Sequence, residues 1–307
     1  MKYKDINILN TRKDLLKSIY PSFCKFCYGH NLQPEKMSEV LSSLWLPLAI
    51  KIASQQQKLK RPFIQGILGG QGTGKTTLCK ALCLILQHLG HNAISLSIDD
   101  LYKTYSDRLI LQQQDPRLIW RGPPGTHDVN LGLTVLDQVL IGQTVVKIPR
   151  FDKSACEGAG DRTTPEIITN VDILLFEGWF VGVRPIQDQE FDNPPWPILT
   201  LEDKIFARDI NQNLHDYLPL WERLDSLIVL YPTDYRLSLQ WRQQAEHEMI
   251  ASGKSGMSDS QIEEFVKYFW RSLHPELFIT PLVESSGVDL VIQINSDRSF
   301  KCSGLFK

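Results

Sequence analysis

Apolar positions along the chain keep two rhythms. Residues 35–58, "EKMSEVLSSLWLPLAIKIASQQQK", repeat them every three to four residues and predict a leading helix. "RPFIQGIL" (61–68) is a short apolar run ending near glycine and predicts a buried strand. "KTTLCKALCLILQHLG" (75–90) returns to helical spacing and stops at Gly90, and "HNAISLSIDD" (91–100) predicts a second strand ending at two aspartates. "TVVKIPRFD" (144–152) opens as a strand, "VDILLFEGWF" (171–180) is an almost wholly apolar one, and residues 225–232 and 288–294 complete the set. Helical spacing fills about 202–223, 233–252 and 258–272. Strands alternating with helices predict an α/β fold with a parallel sheet covered on both faces. No Pro/Gly/Ser-rich linker divides the chain. The expected organisation is a helical extension over residues 1–60 and a main domain over 61–307, with lid helices near 233–283, forming one compact unit.

Composition narrows the picture only a little. The 307 residues are 42% apolar and 22% charged, enough to bury a substantial core. A formal net charge of −2 gives no sign of a nucleic-acid or membrane-surface partner. No apolar run reaches the roughly 18 to 20 residues of a membrane span. The opening "MKYKDINILNTRKDLL" has no signal core, so a cytoplasmic protein is expected. Six cysteines in a chain of this length suggest reduced thiols. Cys24 and Cys27 form a C-x-x-C with His30 nearby, but no second ligand pair stands at zinc-site spacing.

The candidate chemistry begins at "GILGGQGTGKTTLC". Gly69-Gly70-Gln71-Gly72-Thr73-Gly74-Lys75-Thr76 fits G-x-x-x-x-G-K-S/T, with a strand before it and a helix after it. Glycines let backbone amides close around phosphate oxygens, and the helix beginning there adds its positive end. Lys75 would reach the β- and γ-phosphates, the Thr76 hydroxyl would ligate Mg²⁺, and Thr77 closes the loop. The segment Gly69–Thr77 therefore predicts a nucleoside triphosphate site with a bound Mg²⁺.

Such a loop serves hydrolases, switches and kinases alike, so its use must be read from other residues. Asp99 and Asp100 end the second strand, where a carboxylate takes a proton from an acceptor hydroxyl or helps hold Mg²⁺; the alternative makes Asp100 a helix cap. Glu177, after "DILLF", suits the orientation of Mg²⁺. "WRGPPGTHD" groups Arg121, His127 and Asp128 around a stiff turn: either an acceptor site, or a connector in which Asp128 or Asn130 caps a helix. In "PRFDKS" and "GAGDR", Arg150, Asp152, Lys153, Asp161 and Arg162 either line an anion pocket or pair locally. Arg236 and Arg242 are candidates for the arginine that stabilises a transferred phosphoryl.

In this order the pieces resemble the D-glycerate 3-kinase family, among the P-loop kinases that include phosphoribulokinase, uridine kinase and pantothenate kinase. "SIDDLY", "PRFDKS" and "LLFEGW" carry the wider resemblance. "RGPPGTHD", "PRFDKSACEGAGDR", "FEGWFVG", "WRQQAE" and "SGKSGMSDSQIEEFVKYFW" carry the narrower one, over roughly residues 62–272. The chain departs from the family pattern at Gly-Pro-Pro-Gly, at Leu101 and at Gln71. The resemblance implies a three-layer P-loop fold and transfer of the γ-phosphoryl of MgATP to the 3-hydroxyl of D-glycerate, with a small molecule as partner. It implies Asp99 as base, Lys75, Glu177 and Arg242 as its catalytic companions, and Thr76, Asp99 and Glu177 around the metal. Asp100, Tyr102, Arg121, His127, Asp128, Arg150, Asp152, Lys153 and Arg162 would then surround the acceptor. A kinase for a nucleoside, pantothenate or a sugar phosphate, or a nucleotide-binding regulator or ATPase, is the alternative.

Overall fold

The computed structural model describes residues 8–251, 253 and 256–303. The first seven residues of the expected extension, the last four of the chain, and Ser252, Lys254 and Ser255 of the "SGKSGMSD" stretch lie outside the described residues. Three helices lead: α1 (Ile8–Gly29), α2 (Pro34–Val40) and α3 (Leu46–Leu59), the last two joined by a π turn at Leu41–Trp45. The core elements follow as β1 (Phe63–Gly69), α4 (Lys75–His88), β2 (Ala93–Ser97), α5 (Tyr105–Gln114) and α6 (Val129–Leu140). Next come β3 (Val145–Asp152), β4 (Asp161–Thr169), β5 (Ile173–Gly178), α7 (Leu201–Asn213) and α8 (Leu218–Trp221). The chain continues through β6 (Ser226–Pro232), α9 (Leu237–Ala251), α10 (Asp259–Ser272), α11 (Pro275–Glu284), β7 (Leu290–Ile294) and β8 (Phe300–Ser303).

The central sheet runs β2-β5-β1-β6-β7-β8, parallel throughout except for β8, which returns antiparallel along β7. Its strands are apolar on both faces because helices cover both, and the side chains divide with a period of two. Phe63, Ile67, Ile173, Leu175, Ile228 and Leu230 face a cluster built with α1, α3 and α4. Ile64, Leu68, Leu174, Phe176, Leu227 and Val229 face the cluster made with α6, α7, α8 and α10. Burying side chains of this size contributes about 1.5–3 kcal/mol each. A strand register shifted by one residue would therefore put the wrong set on each face.

Three sequence expectations change. The strand opening at residue 144 does not join the sheet: β3 pairs antiparallel with β4 as a separate two-stranded ribbon. The reason lies in β4, "DRTTPEIIT", which has no apolar face to bury and is mostly exposed; Val146 and Ile148 of β3 anchor the ribbon to the core. The strand expected over 91–100 ends at Ser97, and its two aspartates form a single 3-10 turn, Ile98–Leu101. The helix expected over 202–223 breaks into α7, a 3-10 turn at Leu214–Tyr217, and α8. Pro219, which has no N–H, falls at the start of α8, where none is needed. Helices α1, α5 and α11 escaped the periodicity. Among the described residues no helix is long and apolar enough to cross a membrane.

Candidate active site

Parallel strands present their carboxyl ends on one edge, and the chemistry gathers there. The loop after β1 returns into α4 through two glycines in left-handed backbone, Gly72 (φ +77°) and Gly74 (φ +83°). Gly72 is required twice over, since a Cβ there would stand 2.5 Å from Cβ of Trp241 on α9. Inside the loop the Thr73 hydroxyl donates to Gly70 O at 2.8 Å, leaving Lys75, Thr76 and Thr77 in the first turn of α4. The Thr76 hydroxyl donates to Oε1 of Glu177, from β5, at 2.8 Å. Glu177 is buried, and its Oε2 has no hydrogen-bond partner. A buried carboxylate oxygen without a partner, beside a hydroxyl, fits a hard oxygen-seeking cation. Among the described residues no group of three or more His, Cys, Asp or Glu could hold a metal alone.

The aspartates after β2 diverge because a 3-10 turn points successive side chains about 120° apart. Asp100 turns inward. Its Oδ2 accepts from Ser97 N–H and Arg150 Nη1, both at 3.0 Å, and its Oδ1 from Phe151 N–H at 3.2 Å. Burial nevertheless holds its carboxyl above the usual range, against the pull of Ser97 and Arg150. Asp99 turns toward Tyr102 and Lys153, accepting from Tyr102 Oη at 2.9 Å and Lys153 Nζ at 2.6 Å. Burial raises its carboxyl too, but Lys153, Lys75 and the tyrosine hydroxyl together bring it below the ordinary value.

A cavity of about 1150 Å³ joins these groups. Its wall holds Gln71, Gly72, Lys75 and Thr76 from the loop, then Asp99, Asp100, Tyr102 and Glu177, with Arg121, Lys153, Trp241 and Arg242 around them. Gly69, Gly70 and Thr73 instead line a smaller apolar cavity of about 340 Å³ on the other side of the loop, beside Phe180 and Trp270. That cavity lacks Lys75, Thr76, Asp99 and Glu177, so the chemistry belongs to the larger one.

The other sequence candidates divide by their partners. Arg121 reaches the cavity with Nη1 tied to the carbonyls of Gly158 and Ala159, at 2.9 and 2.8 Å. Arg242 does so from α9, its Nη2 paired with Glu246 at 2.8 Å and its buried Nε without a partner. Arg236 lies over the Tyr235 ring, at the smaller cavity. The remaining six, His127, Asp128, Arg150, Asp152, Asp161 and Arg162, do not appear in the wall of the larger cavity, and Asp161 accepts from Tyr105 N–H at 2.9 Å. His127 is buried behind Tyr102, stacked on it at 4.5 Å, with Nδ1 hydrogen-bonded to Tyr217 Oη at 2.8 Å. Burial pushes its imidazole down to about 3, so the ring is neutral. Asp128 caps α6 and pairs with Arg162 at 2.9 Å, while Arg162 Nε also holds the carbonyl of Tyr102. Arg150 links Asp100 to Glu166, and Asp152 accepts from Ser154. The six cysteines carry free thiols; Cys27 and Cys79 are buried between the leading helices and α4.

Sequence reasoning missed Trp120, Trp179 and Glu157, which complete the wall, and Glu246, which holds Arg242. Glu246 stands four residues after Arg242 on one helix, a spacing that signals the pair. Arg108 was missed as well. It binds the carbonyls of Lys103, Ala159 and Gly160 and so fixes the root of the β3–β4 ribbon near Arg121.

A glycine-rich loop, an acidic residue on the adjacent strand and an aspartate across the cleft, all on a parallel sheet, define a P-loop kinase. The chain is 34% identical over 237 residues to the uncharacterized kinase mug58 of Schizosaccharomyces pombe, covering 72% of this chain and 83% of that protein. It is 30% identical over 251 residues to the chloroplastic D-glycerate 3-kinase of Arabidopsis thaliana, covering 77% of this chain and 53% of that longer protein. The solved D-glycerate 3-kinase of Cryptococcus neoformans superposes with a TM-score of 0.71 at 27% identity, over 83% of this chain and 97% of that one. No family model matches the chain. The protein belongs to the family of ATP-dependent P-loop kinases that includes D-glycerate 3-kinase.

Proposed function

We propose that the protein transfers the γ-phosphoryl of MgATP to the 3-hydroxyl of D-glycerate, giving 3-phosphoglycerate and ADP. The observation that carries this reading is the single cavity in which Lys75 and the Thr76–Glu177 pair face Asp99, with Arg121 and Lys153 in the same wall. Two cations there suit an acceptor bearing a carboxylate, and a guanidinium can bind both of its oxygens. The D-glycerate 3-kinases among the relatives support the same acceptor.

Phosphoryl transfer needs positioning and charge stabilisation more than covalent chemistry. Asp99 would accept the acceptor's proton, Lys75 would bind the β- and γ-phosphates, and Arg242 would face the transferred group from α9. Thr76 Oγ1 and Glu177 would hold a Mg²⁺ ion, which neutralises phosphate charge when bound. Indole and phenyl rings of Trp120, Trp179 and Phe269 line the same cavity.

The test is ADP release with MgATP and D-glycerate, L-glycerate, uridine, pantothenate, ribulose 5-phosphate or no acceptor. The expected result is ADP with D-glycerate alone and 3-phosphoglycerate as product. ADP with another acceptor would reassign the acceptor end of the cavity. ADP formed equally without any acceptor would overturn the kinase reading.

A further inference from the structure

We propose that Lys153 keeps the base covered until an anionic acceptor arrives, which confines the enzyme to hydroxy acids. The proposal rests on Asp99 being the base of a D-glycerate kinase. Both carboxylate oxygens of Asp99 already accept hydrogen bonds: Oδ1 from Tyr102 Oη at 2.9 Å and Oδ2 from Lys153 Nζ at 2.6 Å. An oxygen that holds an ammonium has one lone pair occupied and is a weaker base, because the cation favours its ionised form.

The two partners are held very differently. Tyr102 is buried, stacked on His127 at 4.5 Å and set edge-on to Phe151 at 5.1 Å, so its hydroxyl stays in place. The Lys153 side chain is 62% exposed, at the end of the β3–β4 ribbon, and Asp99 is its hydrogen-bond partner among the described residues. The lysine end of the pair is exposed and carried on a flexible four-carbon stem, so it can leave Asp99, whose own side chain is only 26% exposed, for another anion.

A competitor for Lys153 has a place to bind. Arg121 lies in the same cavity wall, and its Nη1 is held by the Gly158 and Ala159 carbonyls of the ribbon that carries Lys153. Among the described residues its Nε and Nη2 make no hydrogen bond. A carboxylate bound by Arg121 would draw Lys153 to itself, so that one ion pair replaces another. Asp99 Oδ2 is then open to the acceptor hydroxyl. In the transfer step the hydroxyl proton passes to Oδ2 and the acceptor oxygen bonds to the γ-phosphorus. The bond from phosphorus to the β,γ-bridging oxygen breaks, and its electron pair leaves with ADP. A water molecule brings no carboxylate, so it meets a base still covered, and ATP is protected from hydrolysis.

The experiment compares Lys153→Met and Lys153→Arg with wild type, by ADP release with D-glycerate, glycerol or no acceptor. Glycerol offers the same terminal hydroxyl on three carbons without the carboxylate. Lys153→Met is expected to collapse the glycerate-over-glycerol ratio of kcat/KM by about 10²-fold and to raise the acceptor-free rate several-fold. Lys153→Arg should restore most of both. Equal proportional losses with the two acceptors would mean a merely structural lysine, and an acceptor-free rate that does not rise would remove the covering role. A wild type indifferent to D-glycerate would sink the acceptor assignment instead, and that is read before any variant is made.

Discussion

Replacing each aspartate of the turn after β2 with asparagine separates the two duties proposed for adjacent residues, a base at Asp99 and a scaffold at Asp100. Asp100 accepts three hydrogen bonds, from Ser97 N–H, Phe151 N–H and Arg150 Nη1. An asparagine has one acceptor oxygen, so whichever way its amide turns, its own N–H₂ meets at least one of those donors. With its oxygen toward Ser97 and Arg150, the asparagine loses the Phe151 bond, leaves that N–H facing an amide nitrogen and weakens the Arg150 bond by one charge, about 2–4 kcal/mol together. In a chain this large each kcal/mol lowers the melting temperature by about 2 °C, so Asp100→Asn should melt about 4–8 °C early. Asp99→Asn keeps an oxygen for Tyr102 and loses the Lys153 pair, whose lysine end is exposed, worth about 1 kcal/mol. Its melting temperature should stay within about 2 °C of wild type while turnover falls about 10²- to 10⁴-fold. Thermal unfolding followed by circular dichroism, paired with ADP release at saturating MgATP and D-glycerate, reads both quantities on one preparation. An Asp100→Asn protein that melts with wild type yet loses turnover, or an Asp99→Asn protein that keeps it, would refute the division.

Glu177→Gln removes the charge from the buried, unpartnered oxygen beside Thr76. Turnover should fall about 10²-fold and the Mg²⁺ needed for half-saturation should rise, in a titration at fixed ATP; an unchanged Mg²⁺ curve would exclude Glu177 from the metal site. A second expectation concerns acid. Burial lowers His127 to about 3 and His274 to about 4, below the roughly 6.5 of an unfolded histidine. The unfolded chain therefore binds protons first, so this part of the stability is complete above about pH 6.5 and is lost as pH falls toward those values, at up to about 1.4 kcal/mol per pH unit per ring. Urea unfolding of His127→Gln between pH 7 and 4.5 should show a shallower pH dependence than wild type, and an identical dependence would contradict the neutral buried ring.

The legible parts of this protein were those whose constraint is local. The loop at Gly69–Thr77 could be read because Gly72 and Gly74 serve their own backbone angles, and the sheet because each strand carries its burial in its own residues. The β3–β4 ribbon was half legible: β3 resembles a strand, but its partner β4 is an exposed run whose pairing depends on β3. The charged loops were not legible, because each partner is distant in sequence. Arg150 meets Asp100 fifty residues away and Arg162 meets Asp128 thirty-four away, so the choice between acceptor pocket and local pairing could not be made from either stretch alone. The partners supply the criterion that sequence lacked. Arg150 and Asp100 make hydrogen bonds to fixed neighbours through each of their polar atoms, and Arg162 does so through Nε and Nη2, which is what scaffolding requires. Among the described residues the buried side-chain atoms without a partner are Gln71 Oε1, Glu177 Oε2, Arg242 Nε and His127 Nε2; the first three belong to residues in the wall of one cavity, and His127 stacks behind Tyr102 of that wall. Unsatisfied buried polar atoms are rare in folded proteins because each carries a desolvation cost. Their concentration around one cavity fits the proposed site, in which phosphates, a cation and the acceptor would be the partners.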